Sequence, residues 1–165
     1  MNAVVLLSKT FFPQHPKAGM QTEFASKVRV SVSQAPIHGN FYKIHTCRSN
    51  YEYWKKKIDK LKAGGGVLSV RQWSTSPYRS PQEIIIDISA DIVDVQKLQL
   101  HLMDDGVLIA YILRNNDWDV IPLATLAAND GLTVEDYKAW FAPVFEKEKA
   151  EVLDFAIIHF TTFRY

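Results

Sequence analysis

What most constrains this chain is a succession of short apolar segments with alternating side chains, each closed by glycine, proline or paired acidic residues. "VLSVRQW" (67–73), "EIIIDIS" (83–89), "VQKLQLHLM" (95–103), "GVLIAYIL" (106–113) and "VLDFAIIHFTTFRY" (152–165) all read as strands. In "EIIIDIS" strict alternation puts Ile84, Ile86 and Ile88 on one face and Glu83, Ile85 and Asp87 on the other, and Leu98, Leu100 and Leu102 likewise share a side. "AVVLLSKTFF" adds an opening strand and "FYKIHTCR" another, while "PQHPKAGMQT" between them reads as a loop. "EFASKVRVSVS" is compatible with a short helix running into an extended piece.

Helical spacing is confined to a few places. Ser49 followed by Glu52 fits a capping box, after which Tyr51, Trp54, Ile58 and Leu61 form one stripe and lysines cover the rest. Gly64, Gly65 and Gly66 stop that helix. "PLATLAAN" and "TVEDYKAWF", the latter capped by Thr133 with Tyr137 turned inward, supply two more. Six or seven strands with two or three short helices predict an α+β protein, a small β-barrel with helices at its rim. At 165 residues, 47% of them hydrophobic, the chain suffices for one core. The expectation is a single domain over residues 1–165 with a loop or insertion at about 13–38.

Several function classes are disfavoured. No apolar run approaches the roughly 20 residues that span a bilayer, and "MNAVVLLSKTFF" lacks the basic start of a signal peptide, so a cytoplasmic location without membrane attachment is expected. Cys47 is the only cysteine, which rules out an internal disulfide, and no metal site is legible from residue spacing. The three glycines follow a helix instead of opening one, and neither phosphate-loop nor dinucleotide motif can be built around them, so no cofactor is expected.

Charge is divided along the chain. Residues 43–79 carry nine Lys or Arg against two acids, whereas residues 83–154 carry fifteen acids against five bases. That polarity suits one surface that attracts phosphates, or two solvated faces that pair with each other. Within the basic part, Lys43, Thr46 and Arg48 can clamp a phosphate or carboxylate, and Lys43 with a lowered pKa beside the Thr46 hydroxyl can serve as a base. The bland alternative is an ion pair of Lys43 and Arg48 with the acidic half. Arg71, Trp73, Tyr78 and Arg79 combine ring faces with charge, as in single-strand binders, and Pro77 and Pro81 stiffen their loop. Cys47, His45 and His159 are expected as buried core residues.

These motifs together resemble the ASCH domain family. Lys43-x-x-Thr46-x-Arg48, a helix, a glycine turn, the strand "VLSVRQW", then "ANDGLTVEDYKAWF" and the final "IIHFTTF" occur in the family's order from about Phe41 to Tyr165, with Phe41 standing where the signature carries glycine. The resemblance implies a PUA-like barrel whose cleft takes RNA or a nucleotide-like small molecule. It also implies, for some small members, an amidohydrolase acting on an acylated nucleoside. Lys43 and Thr46 take the motif positions there as base and nucleophile, with a glutamate on a later strand as proton carrier, for which Glu83 is the candidate. A third possibility is a protein-interaction module that uses the acidic half.

Overall fold

The computed structural model describes residues 1–33 and 39–165. Eight strands and four helices are found among them: β1 (Asn2–Leu7), α1 (Phe24–Val32), β2 (His45–Arg48), α2 (Tyr51–Gly64), β3 (Val67–Trp73), β4 (Gln82–Ser89), β5 (Asp94–Leu102), β6 (Leu108–Arg114), β7 (Asp117–Ile121), α3 (Leu123–Asn129), α4 (Val134–Glu148) and β8 (Val152–His159). The α+β class is as expected. The closed barrel is not: the strands form a three-stranded sheet, β1-β3-β4, and a five-stranded sheet, β2-β8-β5-β6-β7. Each sheet keeps its own two edges, because β1 pairs parallel with β3 and, among the described residues, no backbone ladder joins it to β2 or β7. Both sheets nevertheless feed one hydrophobic cluster, with Val5 and Leu68 from the smaller and Leu98, Ile112 and Ile157 from the larger.

Local chemistry accounts for the element boundaries. The α2 cap is Asn50, one residue later than the capping-box reading; it adopts φ 63° and its side chain accepts the Tyr53 N–H at 3.1 Å. Gly65, at φ 64°, ends the helix in the left-handed turn that glycine permits. Thr133 caps α4 as expected by accepting the Asp136 N–H at 3.1 Å, and the helix runs on through Pro143 because Phe141 and Phe145 are buried on its inner face. Pro122 stands at the cap of α3, outside its first turn.

The segment expected as a loop at about 13–38 is built differently. It contains α1, and residues 34–38 lie outside the described residues. Ahead of α1, residues 8–22 form a folded strap closed by a bridge between Thr10 and Gln21. The strap and the start of α1 pack on α4 through rings: Phe11 and Phe12 of the strap and Phe24 of α1 lie 5.9, 5.2 and 5.7 Å from Trp140. His15 accepts the Lys17 N–H on Nδ1 at 3.0 Å, which leaves Nε2–H to donate to the Asp136 carbonyl at 3.2 Å. Lys17 Nζ sits 2.6 Å from the Asp136 carboxylate.

Strand β4 departs from strict alternation. Val70 pairs with Ile86 but Arg71 pairs with Ile84, so Ile85 is an extra, bulged residue. The bulge turns Ile85 inward, at 6% exposure, and leaves Ile84 outside at 53%. Arg29 on α1 donates Nε–H to the Ile85 carbonyl at 3.2 Å, which satisfies a group that the ladder no longer pairs. Ile85→Ala is therefore expected to cost about 3 kcal/mol and Ile84→Ala about 0.5 kcal/mol or less. Urea denaturation of the two variants checks this, and equal losses would sink the bulge.

Candidate functional site

The site begins with a close approach of two chain segments. The turn after α3 lays Asn129–Gly131 against residues 42–44: Ile44 N–H donates to the Asn129 carbonyl at 2.9 Å, and Phe160 N–H to the Ile44 carbonyl at 2.8 Å. Gly131 has φ 78°, and a Cβ there would lie 3.2 Å from the Lys43 Cβ and 3.3 Å from the Tyr42 carbonyl oxygen. Only glycine meets both requirements.

This contact brings Lys43 to Asp130. Lys43 is 1% exposed and its Nζ donates to the Asp130 carbonyl at 2.7 Å and to its carboxylate, while lying 4.1 Å from the Phe24 ring centroid. The ion pair with the acidic half is thus what Lys43 makes. Burial pulls the Lys43 ammonium below its ordinary value and pushes the Asp130 carboxyl above its own, and in both cases their mutual attraction opposes the shift. Arg48 is held by two carbonyls, Cys47 at 2.9 Å and, across to the other sheet, Leu6. That second bond ties the end of β2 to β1.

The two faces of β2 do different things. His45 and Cys47 point toward α4 and the C-terminal segment: Cys47 Sγ lies 3.5 Å from the Tyr137 hydroxyl, and His45 Nε2 lies 2.6 Å from the Tyr165 hydroxyl. Burial raises the Cys47 thiol well above its ordinary value. All three expected core residues are buried, His159 and His45 at 0% exposure and Cys47 at 5%. Thr46, also buried, lines a small chamber with Lys43, Cys47, Arg48, Asp130 and Ser8. Its volume of about 10 Å³ has room for roughly one water molecule.

The chamber shares Leu7 and Ser8 with a much larger cleft of about 830 Å³. The strap supplies one wall of the cleft, from Lys9 to Pro13, and Trp73, Thr75, Pro77 and Tyr78 supply the other. Trp73 is half-buried, its ring 5.3 Å from that of Tyr78, which is 87% exposed and held at φ 62°. Lys9, which lines the cleft, donates to the Ser74 carbonyl at 2.8 Å.

Not every expected site residue joins this arrangement. Glu83 lies on the outer part of β4, where it accepts from Gln72 Nε2 at 3.0 Å and faces Lys9 Nζ at 3.8 Å, and it lines neither the chamber nor the cleft. Arg71 turns to Ser69 Oγ at 2.9 Å, and Arg79 is exposed at the loop beyond the cleft wall. Asp130, the carboxylate actually beside Lys43, was not singled out from the sequence, although it sits inside the "ANDGLTVEDYKAWF" segment. Part of the charge division cancels internally, since Lys62 of α2 lies 3.3 Å from Asp94 of β5. No helix among the described residues is long and apolar enough to cross a membrane.

Two predictions follow from the buried groups. Lys43→Met strands the Asp130 carboxylate and is expected to cost about 3 kcal/mol or more, with Asp130→Asn in the same chain restoring part of it. A double-mutant cycle by urea denaturation reads this, and additive losses would contradict the pair. Burial, aided by the Lys43 charge, keeps His45 neutral well below 6.5, and burial lowers His159 to about 3, with Arg164 adding to it. Unfolded histidines take up protons below about 6.5 and these two do not, so the stability they confer is present above that pH and is lost as pH falls. Between pH 7 and 5 each is expected to remove about 2 kcal/mol, seen as a falling urea midpoint; a flat profile would overturn the assignment.

Comparison with known proteins finds no matching family model, no matching curated protein and no matching solved structure.

Proposed function

We propose that this chain is an ASCH-type module that binds RNA or a nucleotide-like ligand in the cleft between the strap and the Trp73–Tyr78 wall. The observation that carries the reading is the joining of that cleft, at Leu7 and Ser8, to the chamber that holds Lys43, Thr46 and Arg48. Its volume of about 830 Å³ lies within the ordinary range for small-ligand sites. The tilted ring pair offers a face on which an unpaired base can stack, and Lys9 inside the cleft and the exposed Arg79 beyond its wall offer charge to phosphates. The convergence of Lys43, from K-x-x-T-x-R, with Asp130, from the late segment, also favours the ASCH reading, because the two motifs that carry the resemblance meet in space.

A second reading, amide hydrolysis on an acylated nucleoside, is favoured by the burial that lowers the Lys43 pKa next to Thr46. In it the Thr46 hydroxyl oxygen attacks the amide carbonyl, neutral Lys43 takes the hydroxyl proton and returns it to the leaving amine, and water then hydrolyses the ester. The carboxylate adjacent to Lys43 is Asp130, so that residue takes the proton-carrying place given above to Glu83. With room for roughly one water, the chamber admits an acyl group only when the strap or the Asn129–Gly131 turn moves.

Fluorescence anisotropy with short single-stranded RNA and with free nucleotides, repeated over a salt series, tests the first reading. Trp73→Ala with Tyr78→Ala is expected to weaken binding about tenfold with little change in salt slope, whereas Lys9→Ala with Arg79→Ala flattens the slope. Binding indifferent to all four substitutions, or no binding to any probe, would refute it. For hydrolysis, mass spectrometry of acylated nucleosides should show deacylation that Thr46→Ala abolishes while nucleoside binding survives; silence of the unmodified protein across the panel removes this reading.

A further inference from the structure

Cys47 and Asp130, which line the chamber, meet His45 in a cluster that ligand binding in the cleft does not use. His45, Cys47 and Asp130 are all buried, and one donor atom from each lies within 4.8 Å of the other two. Because β2 is extended, His45 and Cys47 project to the same side, and the turn after α3 brings Asp130 over them. His45 Nδ1 has no hydrogen-bond partner, although it is fully enclosed and stands 4.0 Å from the nearer carboxylate oxygen of Asp130. An enclosed imidazole nitrogen without a partner is costly unless something is meant to meet it.

The other imidazole nitrogen is firmly engaged. His45 Nε2 lies 2.6 Å from the Tyr165 hydroxyl, which also receives Asn129 Nδ2–H at 2.9 Å. With Nε2–H donating to that oxygen, Nδ1 presents its lone pair toward Cys47 and Asp130, the tautomer that a metal-ligating histidine needs. We propose that His45 Nδ1, Cys47 Sγ and Asp130 form a three-ligand site for a divalent cation of the zinc class.

Nitrogen, sulfur and carboxylate oxygen together match the donors that zinc accepts, with the fourth tetrahedral position left to water or an incoming group. Metal–ligand bonds of about 2.0–2.3 Å require tetrahedral donors to be roughly 3.5 Å apart, so the side chains close in by about 1 Å on loading. Coordination exchanges an S–H bond for a sulfur–metal bond: Cys47 binds as thiolate and its proton goes to solvent, with no change of oxidation state. The metal competes with Lys43 for one carboxylate, and a loaded site would leave the Lys43 amine facing the Thr46 chamber. Affinity is therefore expected to rise about tenfold for each pH unit, one proton being released per metal bound.

Cobalt(II) titration of the full chain at neutral pH is the direct test, since cobalt reports thiolate ligation through a near-ultraviolet charge-transfer band and tetrahedral geometry through its visible bands. One equivalent should produce both, zinc should abolish them, and His45→Gln or Asp130→Asn should weaken the titration tenfold or more. Cys47→Ser should remove the charge-transfer band. Should that variant not fold, the unmodified protein still decides, because Cys47 is the only cysteine from which a thiolate band can arise. Absence of the band at one equivalent, or its persistence in folded Cys47→Ser, would overturn the site. These readouts need no nucleotide, so they stand or fall apart from the function proposed above.

Discussion

A carboxylate enclosed in a protein interior needs a cation against it, and in this chain the Lys43–Asp130 pair meets that need at the point where the architecture converges. The pair joins the lead-in of β2 to the turn between α3 and α4, and that turn is further pinned by Ile44 and by the absence of a side chain at Gly131. Desolvating two charges costs several kcal/mol, so the pair is a weak source of net stability; removing either partner alone is far worse than keeping both. Its effect is to leave one arrangement of these segments much more favourable than others. The Thr46 chamber and the His45–Cys47–Asp130 cluster, which share Cys47 and Asp130, are both built around that contact.

The strap gives the second half of the site its shape. Residues 8–22 follow β1 and are anchored on α4 by the rings around Trp140 and by Lys17 and His15 on Asp136. The same stretch forms a wall of the open cleft and, through Ser8, part of the lining of the small chamber. The cleft and the chamber thus meet beside a segment held by aromatic contacts, the His15 hydrogen bond and one partly exposed ion pair. Such contacts release at modest cost, unlike the ladder hydrogen bonds of either sheet.

Sheet irregularity also has a structural use. The bulge at Ile85 lets β4 bury an isoleucine that alternation would expose, and the carbonyl it frees becomes the anchor for Arg29 of α1. Helix α1 in turn carries Phe24 to the Lys43 ammonium. A local break in pairing on the smaller sheet is in this way linked to the packing of the buried cation.

The sequence by itself determined the α+β class, most strand positions, the glycine stop of α2, the Thr133 cap and the burial of His45, Cys47 and His159. Each of these depends on periodicity or on side-chain chemistry within a few residues, which a linear reading captures. Only the tertiary structure decided that the strands form two separate sheets, that Ile84 and not Ile85 faces outward, that residues 8–22 fold into a strap, and that Asp130 stands beside Lys43 while Glu83 stays at the surface. The K-x-x-T-x-R stretch and the late segment each carry half of the site. Charge and spacing within either half do not specify the partner across it, because that partner is selected by loop closure and desolvation over a long separation in the chain.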